Sequence, residues 1–462
     1  MTRAKIAGWA ILAVFVLSGV GVGYRLFEQY VLGATATSPA TASSSPAIAP
    51  TAPVTVSAVA ATAADQGFLY GRITTVDGAT YEGRLRWGRG EEAFWGDYFN
   101  GKKGKNHWAA RVPPERLPKE RHAIEILGIE ISHRERPIDL GRLFMARFGD
   151  IARIGARGRN VRVTLKSGSV FHLDRLEASD FDDGVSVWDG RRGLVKLDSL
   201  RIRSIELLPT VGLGVVPSRL HGTVRTRHGE DFTGFIQWNR EEGVGSDQLD
   251  GRAGDRELGV RFDTIRSIAC RSRDSALVTL LDGREIVLAG TREVGSGNRG
   301  MYVDDPRYGR VLVSWGAFER IDFTAGGSGP AYDDFARGRP LTGSVTTRGG
   351  RRFTGRLVYD LDESETTETL DAPSQGVDYT IPFGLIASIT PVGREERGAL
   401  RANVTLHDGH ELQLDRAGDL GERNAGMLIF VEGRERAEYV QWTDIRQVDF
   451  HRPPAMSPPH SR

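Results

Sequence analysis

The chain has 462 residues, of which 39% are apolar and 26% charged, enough to fill several cores. A formal net charge of +1 implies no bulk attraction to nucleic acid. The single cysteine, Cys270, excludes an intrachain disulfide and any cysteine-based zinc site.

Residues 1–25 open with Arg3 and Lys5 and then run uncharged from Ile6 to Tyr24. That run is long enough for one membrane-spanning helix. Tyr24-Arg25-Leu26-Phe27 reads as an interfacial belt, which favours a retained signal-anchor. The rival is a cleaved signal peptide, with Ala34-Thr35-Ala36 as the cleavage site. Either one exports the rest, to the periplasmic or extracellular side of a bacterial inner membrane. Residues 26–66 are dominated by Ala, Thr, Ser, Pro and Val, cannot bury a core, and are expected to form a disordered tether.

From residue 67 the pattern changes to alternation of apolar and polar residues, the signal of half-buried strands. Leu69–Trp87 (LYGRITTVDGATYEGRLRW) recurs without a gap at Leu220–Trp238 and at Leu341–Tyr359. Each copy reads as a hairpin turning at Gly78, Gly229 or Gly350, where glycine takes positive φ at no steric cost. Paired strand glycines also coincide: Gly71 with Gly83, Gly222 with Gly234, Gly343 with Gly355. Glycine inside a strand signals a bend or a close approach of another backbone.

Each copy then closes on three apolar residues at spacing three: Phe148, Ile151, Ile154; Phe262, Ile265, Ile268; Phe383, Ile386, Ile389. That spacing predicts one 3₁₀ turn entering a final strand. A second kind of unit turns at Gly168, Gly283 and Gly409. It closes at Ser199, Ile202, Ile205; Trp315, Phe318, Ile321; and Trp442, Ile445, Val448. The chain is thus six related units of about 50 residues in three pairs, a fixed-period repeat. The expected domains are a first pair over 67–208 with an insertion at 96–145, a second over 220–324, a third over 341–450 and a disordered tail over 451–462. Cys270 falls in a predicted strand as a buried thiol.

The insertion is where function is sought. Gly101–Arg121 is basic, and Phe94, Trp95, Tyr98, Phe99 and Trp108 occur beside it in the first unit only. Aromatics next to cations can stack on sugar rings or grip a partner, so Trp95, Tyr98, Lys102, Lys103, Lys105 and Trp108 are the candidate ligand-binding residues. The bland alternative is a solvated loop and an extra strand over a local mini-core. His407 and His410 flank a turn and offer two metal ligands where zinc needs three or four. The acidic runs Asp360–Glu365 and Asp180–Asp183 read as solvated loops. No nucleophile elbow, phosphate loop or HExxH motif occurs. No cofactor, metal or catalytic residue is therefore assigned.

Hairpin, longer middle strands, one 3₁₀ turn and a last strand in about 50 residues resemble an Sm-like or SH3-like small β-barrel. The resemblance covers most of 67–450 and is one of pattern. Sm proteins bind RNA through an Arg-Gly pair late in the domain. Here Asn298-Arg299-Gly300 and Arg423-Asn424-Ala425-Gly426 lie mid-unit, so no nucleic-acid role carries over. The expected fold is mainly β, with about six such barrels in three pairs behind a transmembrane helix. A six-bladed β-propeller is the alternative. The expected function is a non-enzymatic, membrane-anchored exported repeat protein presenting modules as a scaffold or binding surface to a protein or cell-wall partner. The alternative is binding of a cell-wall glycan or anionic ligand through the insertion.

Overall fold

The computed structural model describes residues 67–452, apart from Arg89, 104–105, 118, 127–128, 138–142, 176–177, 212–215, 327–328 and 392–400. The expected anchor over 1–25, the tether over 26–66 and nearly all of the tail lie outside the described residues. Among the described residues no helix is long and apolar enough to cross a membrane.

The described chain is mainly antiparallel strand, with helix confined to single turns. In the first module the strands are β1 (Tyr70–Thr75), β2 (Thr80–Trp87), β3 (Tyr98–Lys102), β4 (Lys119–Ile126), β5 (Ile129–Pro137) and β6 (Leu143–Arg147). They continue as β7 (Ile151–Arg157), β8 (Asn160–Leu165), β9 (Val170–Asp174), β10 (Val185–Asp189), β11 (Gly193–Leu197) and β12 (Ile202–Leu207). The second and third modules repeat this plan without the β4–β5 hairpin.

The hairpin signals hold. Gly78, Gly168, Gly229, Gly283, Gly350 and Gly409 all have positive φ. The closing triplets hold too: 3₁₀ turns span Phe148–Asp150, Ser199–Arg201, Phe262–Thr264, Phe383–Leu385 and Trp442–Asp444. At the remaining site the Ala317 N–H closes a turn on Ser314 O.

Strand neighbours differ from the expectation that each unit closes on itself. β2 pairs not with β3 but with β10 of the following unit, Leu85 opposite Val187. β12 returns to β1, Ile73 opposite Ile205. One eight-stranded sheet therefore runs β11-β10-β2-β1-β12-β7-β8-β9, and its first five strands come from both units. β3 and β6 form a separate two-stranded ladder that meets β9 through the single bridge of Lys103 with Leu173, and with β7, β8 and β9 it makes up the inner, nested sheet. Its strands fall within 98–174, between β2 and β10 in the chain, with the β4–β5 hairpin apart as its own two-stranded sheet. β7 and β12 join the inner sheet to the first five strands, Ile154 opposite Ile205. The same exchange occurs in the second module, where the strand Asp231–Gln237 pairs with Met301–Asp305. In the third module Arg352–Val358 pairs with Met427–Phe430. A propeller blade pairs its strands in sequence order, and this exchange departs from that order.

The paired glycines explain how the exchange is possible. Gly71 lies opposite Gly83. A Cβ on Gly83 would meet Trp188 O of β10 at 1.9 Å, and one on Gly234 or Gly355 would meet Asp304 O at 2.0 Å or Phe430 O at 2.1 Å. The incoming strand of the other unit needs that space.

The modules are fused. Gly309–Val313 of the second module pairs with Val377–Pro382 of the third, Val311 opposite Tyr379, and the two modules share one apolar core. The first module has its own core, into which Tyr332 and Phe335 of the Gly-rich linker insert. That linker is a strap: the Tyr332 hydroxyl donates to Ile151 O at 2.8 Å, and Phe335 lies against Phe94 and Trp95.

Candidate functional site

Most conspicuous polar groups repeat from module to module and serve the fold. Trp87 Nε1 donates to Asp180 O, Trp238 Nε1 to Glu293 O, and the Tyr359 hydroxyl to Asp419 O. The carboxylates of the same three loop residues accept the backbone N–H of Asn100, Asp250 and Asp371. Asp97, Asp247 and Glu368 each accept two successive backbone N–H groups of the loop after the second strand. Glu91, Glu242 and Glu363 sit near these groups. Burial, reinforced by neighbouring carboxylates, pushes Glu91 up to about 7 and Glu242 up to about 8, and holds Glu363 well above the usual carboxylate range.

The run Asp360–Glu365 is therefore not a solvated loop, whereas in the second run Asp182 and Asp183 are exposed and Asp180 is tied into the fold. Asp360 and Asp362 are buried, and Asp180 binds the β3 backbone and the Asn100 side chain. Cys270 lies in the strand Ile265–Ser272 but is half-buried rather than buried. Its thiol donates to Ser272 O at 3.2 Å and accepts from Arg227 Nη2 at 3.0 Å. His410 faces Asp408 at 2.9 Å on an exposed turn. Among the described residues no group of three or more His, Cys, Asp or Glu side chains is placed to hold a metal ion.

Within the insertion the expected extra strand is present, as the β4–β5 hairpin, but the basic stretch before it is an arm laid on the third module rather than a solvated loop. Val112 packs with Val358, Leu361, Leu428 and Tyr439, and Trp108 and Leu117 lie against the same cluster. Arg116 Nη2 donates to Tyr439 O at 2.9 Å. Lys103 reaches Asp362 at 2.8 Å and Glu368 at 3.3 Å. Burial, the largest single influence, favours the neutral lysine; the two carboxylates together outweigh it and raise the pKa, so Lys103 stays charged.

Where the arm meets the nested sheet of the first module, a groove of about 720 Å³ opens. Phe171 and Leu173 of β9 line it beside Asn160, His172 and Asp174, with Trp108, Lys103 and Asp362 opposite. Lys103 Nζ stands 5.4 Å from the Phe171 ring centroid. Arg159 approaches Asp174 at 3.5 Å, and His172 Nδ1 lies 3.3 Å from Asn160 Oδ1. Both groove carboxylates thus face a cation, and the lining offers an aromatic surface, amides and imidazole: a recognition chemistry.

Of the residues singled out from the sequence, Lys103 and Trp108 come together here. Trp95 instead stacks beside Phe335 under Arg147, and Tyr98 is buried near Arg310. Lys102 is half-buried at the end of β3, and Lys105 lies outside the described residues. Sequence reasoning does not single out Phe171, His172 or Asn160. Comparison of the repeats carries a signal, since His172 stands where the other modules have Val287 and Gln413.

No family model, curated protein or solved structure matches the chain.

Proposed function

We propose that the protein is a non-enzymatic, membrane-anchored exported binding protein. On this reading its modules are tandem SH3-like or Sm-like small barrels with exchanged strands, fused into a platform that presents a recognition groove. The observation that carries the reading is the groove between the arm, β9 and the third module. The repeated carboxylates and aromatics are spent on the fold, whereas the groove lining departs from the repeat. An aromatic surface flanked by amides suits a cell-wall glycan or its peptide.

The test is sedimentation of the full chain with purified peptidoglycan, wild type against Trp108→Ala with Asp174→Asn. The double variant is expected to stay in the supernatant while its circular dichroism is unchanged. Equal pelleting of the two chains removes the groove from the reading, and a wild type that does not pellet removes the glycan.

A further inference from the structure

The outward face of the nested sheet in the first module carries a concentration of positive charge that each of its copies retains at one position only. A cavity of about 730 Å³ is lined by Arg153, Arg157, Arg162, Arg203 and His172, with Gly155 among them. All five charged or titratable side chains belong to exposed residues. At Gly155 the space a side chain would fill is open. In register, Arg162 lies between Gly155 on β7 and His172 on β9. Arg153 approaches Glu206 at 3.6 Å, whereas Arg157, Arg162 and Arg203 form no ion pair with any described residue.

The repeat supplies the control. Arg153, Arg162, His172 and Arg203 are matched by Ser267, Leu277, Val287 and Glu319 in the second module, where only Arg157 keeps its charge, as Arg271. In the third module they are matched by Ser388, Asn403, Gln413 and Arg446. The fold therefore does not need the charges. On a chain of net charge +1 they form a local field that attracts anions.

We propose that this face docks on the anionic phospholipid headgroups of the bilayer that carries the chain, a proposal that rests on the anchored reading above. Charge complementarity is the first argument. The second is position: the chain enters the described fold at Gly67, and Arg72, Glu206 and Arg153 lie side by side on adjacent strands. Between the apolar run and Gly67 the only acidic residues are Glu28 and Asp65, so that segment offers little charge to cover the face itself. Docking would hold the first module against the membrane.

The full chain is reconstituted in nanodiscs of phosphatidylcholine, alone or mixed with phosphatidylglycerol, and cleaved with trypsin. Cleavage after Arg157 and Arg159, at the exposed turn of the face, is expected to slow about tenfold or more on the anionic discs, and cleavage after Arg436 to be unchanged. The chain carrying Arg153→Gln, Arg162→Gln and Arg203→Gln should lose that protection, about fivefold for each arginine. Equal cleavage on both discs overturns the proposal. So does equal protection of the detergent-solubilised chain by inorganic phosphate, which would make the cavity an ion site. Resistance of the vesicle-bound chain to alkaline carbonate reads the anchor separately. A chain stripped by carbonate but still protected by added anionic vesicles retains the docking face and loses the anchor.

Discussion

The first and second modules share ten strands, two nested sheets and the same loop hooks, yet they use one hook differently. Asp247 accepts the Gly243 and Val244 N–H groups and is half-buried. Asp97 accepts the equivalent Glu92 and Ala93 N–H groups, is buried, and also receives Arg310 of the second module at 2.7 Å. Arg310 in turn binds Asp304 at 2.9 Å, and Asp304 occupies the space that a side chain on Gly96 would need. A position that folds a loop in one copy has become a joint between modules in the other. Residues common to the repeats build the sheets, and departures from the repeat mark fusion and recognition.

The comparison breaks most severely at a position where the modules agree. Gly83→Val and Gly234→Val both place side-chain atoms on an incoming carbonyl, and each should destabilise by about 5 kcal/mol or more, read as loss of the folded chain in chemical denaturation. A tolerated substitution in either module would refute the exchanged pairing there.

The hooks separate the modules. Asp97→Ala leaves buried Arg310 with one carboxylate and is expected to cost about 3–5 kcal/mol. Asp247→Ala removes only hydrogen bonds and should cost about 1–2 kcal/mol. Urea midpoints of the two variants measure the difference, and equal costs would show that the joint adds nothing.

The last effect concerns pH and is graded rather than all-or-none. Glu91 and Glu242 hold their protons up to about 7 and about 8 in the folded chain, because burial disfavours the carboxylate. The unfolded chain releases those protons near pH ~4.3. Below that pH both states are protonated and the groups contribute no pH dependence. As pH rises through the window from about 4.3 to 7 or 8, unfolding releases protons and stability falls, by at most about 1.4 kcal/mol per pH unit for each group. Above the window the loss is complete. Glu242→Gln should flatten the second module's part of this slope in denaturation curves taken from about pH 4 to about pH 8. An unchanged slope would remove Glu242 from the account.

Much of the local structure was legible in the residues. Gly78 and its counterparts marked the turns because positive φ is cheap only for glycine, and the triplet beginning at Phe148 marked a 3₁₀ turn because spacing three places side chains on one side. Half of the candidate groove was visible as Lys103 and Trp108. Its other half, Phe171 and His172, lies more than sixty residues away along the chain, and no local pattern connects the two.

By itself the sequence determined the hairpins, their turns and which face of each strand is dry, since these depend on backbone torsion and on alternation along a few residues. Tertiary structure alone decided which strands are neighbours, that the acidic run at Asp360 is buried, and that the basic arm lies on the third module. Alternation says that a strand has a dry face but not which strand covers it, and the carboxylates of Asp362 and Glu368 find Lys103 only once distant modules have docked.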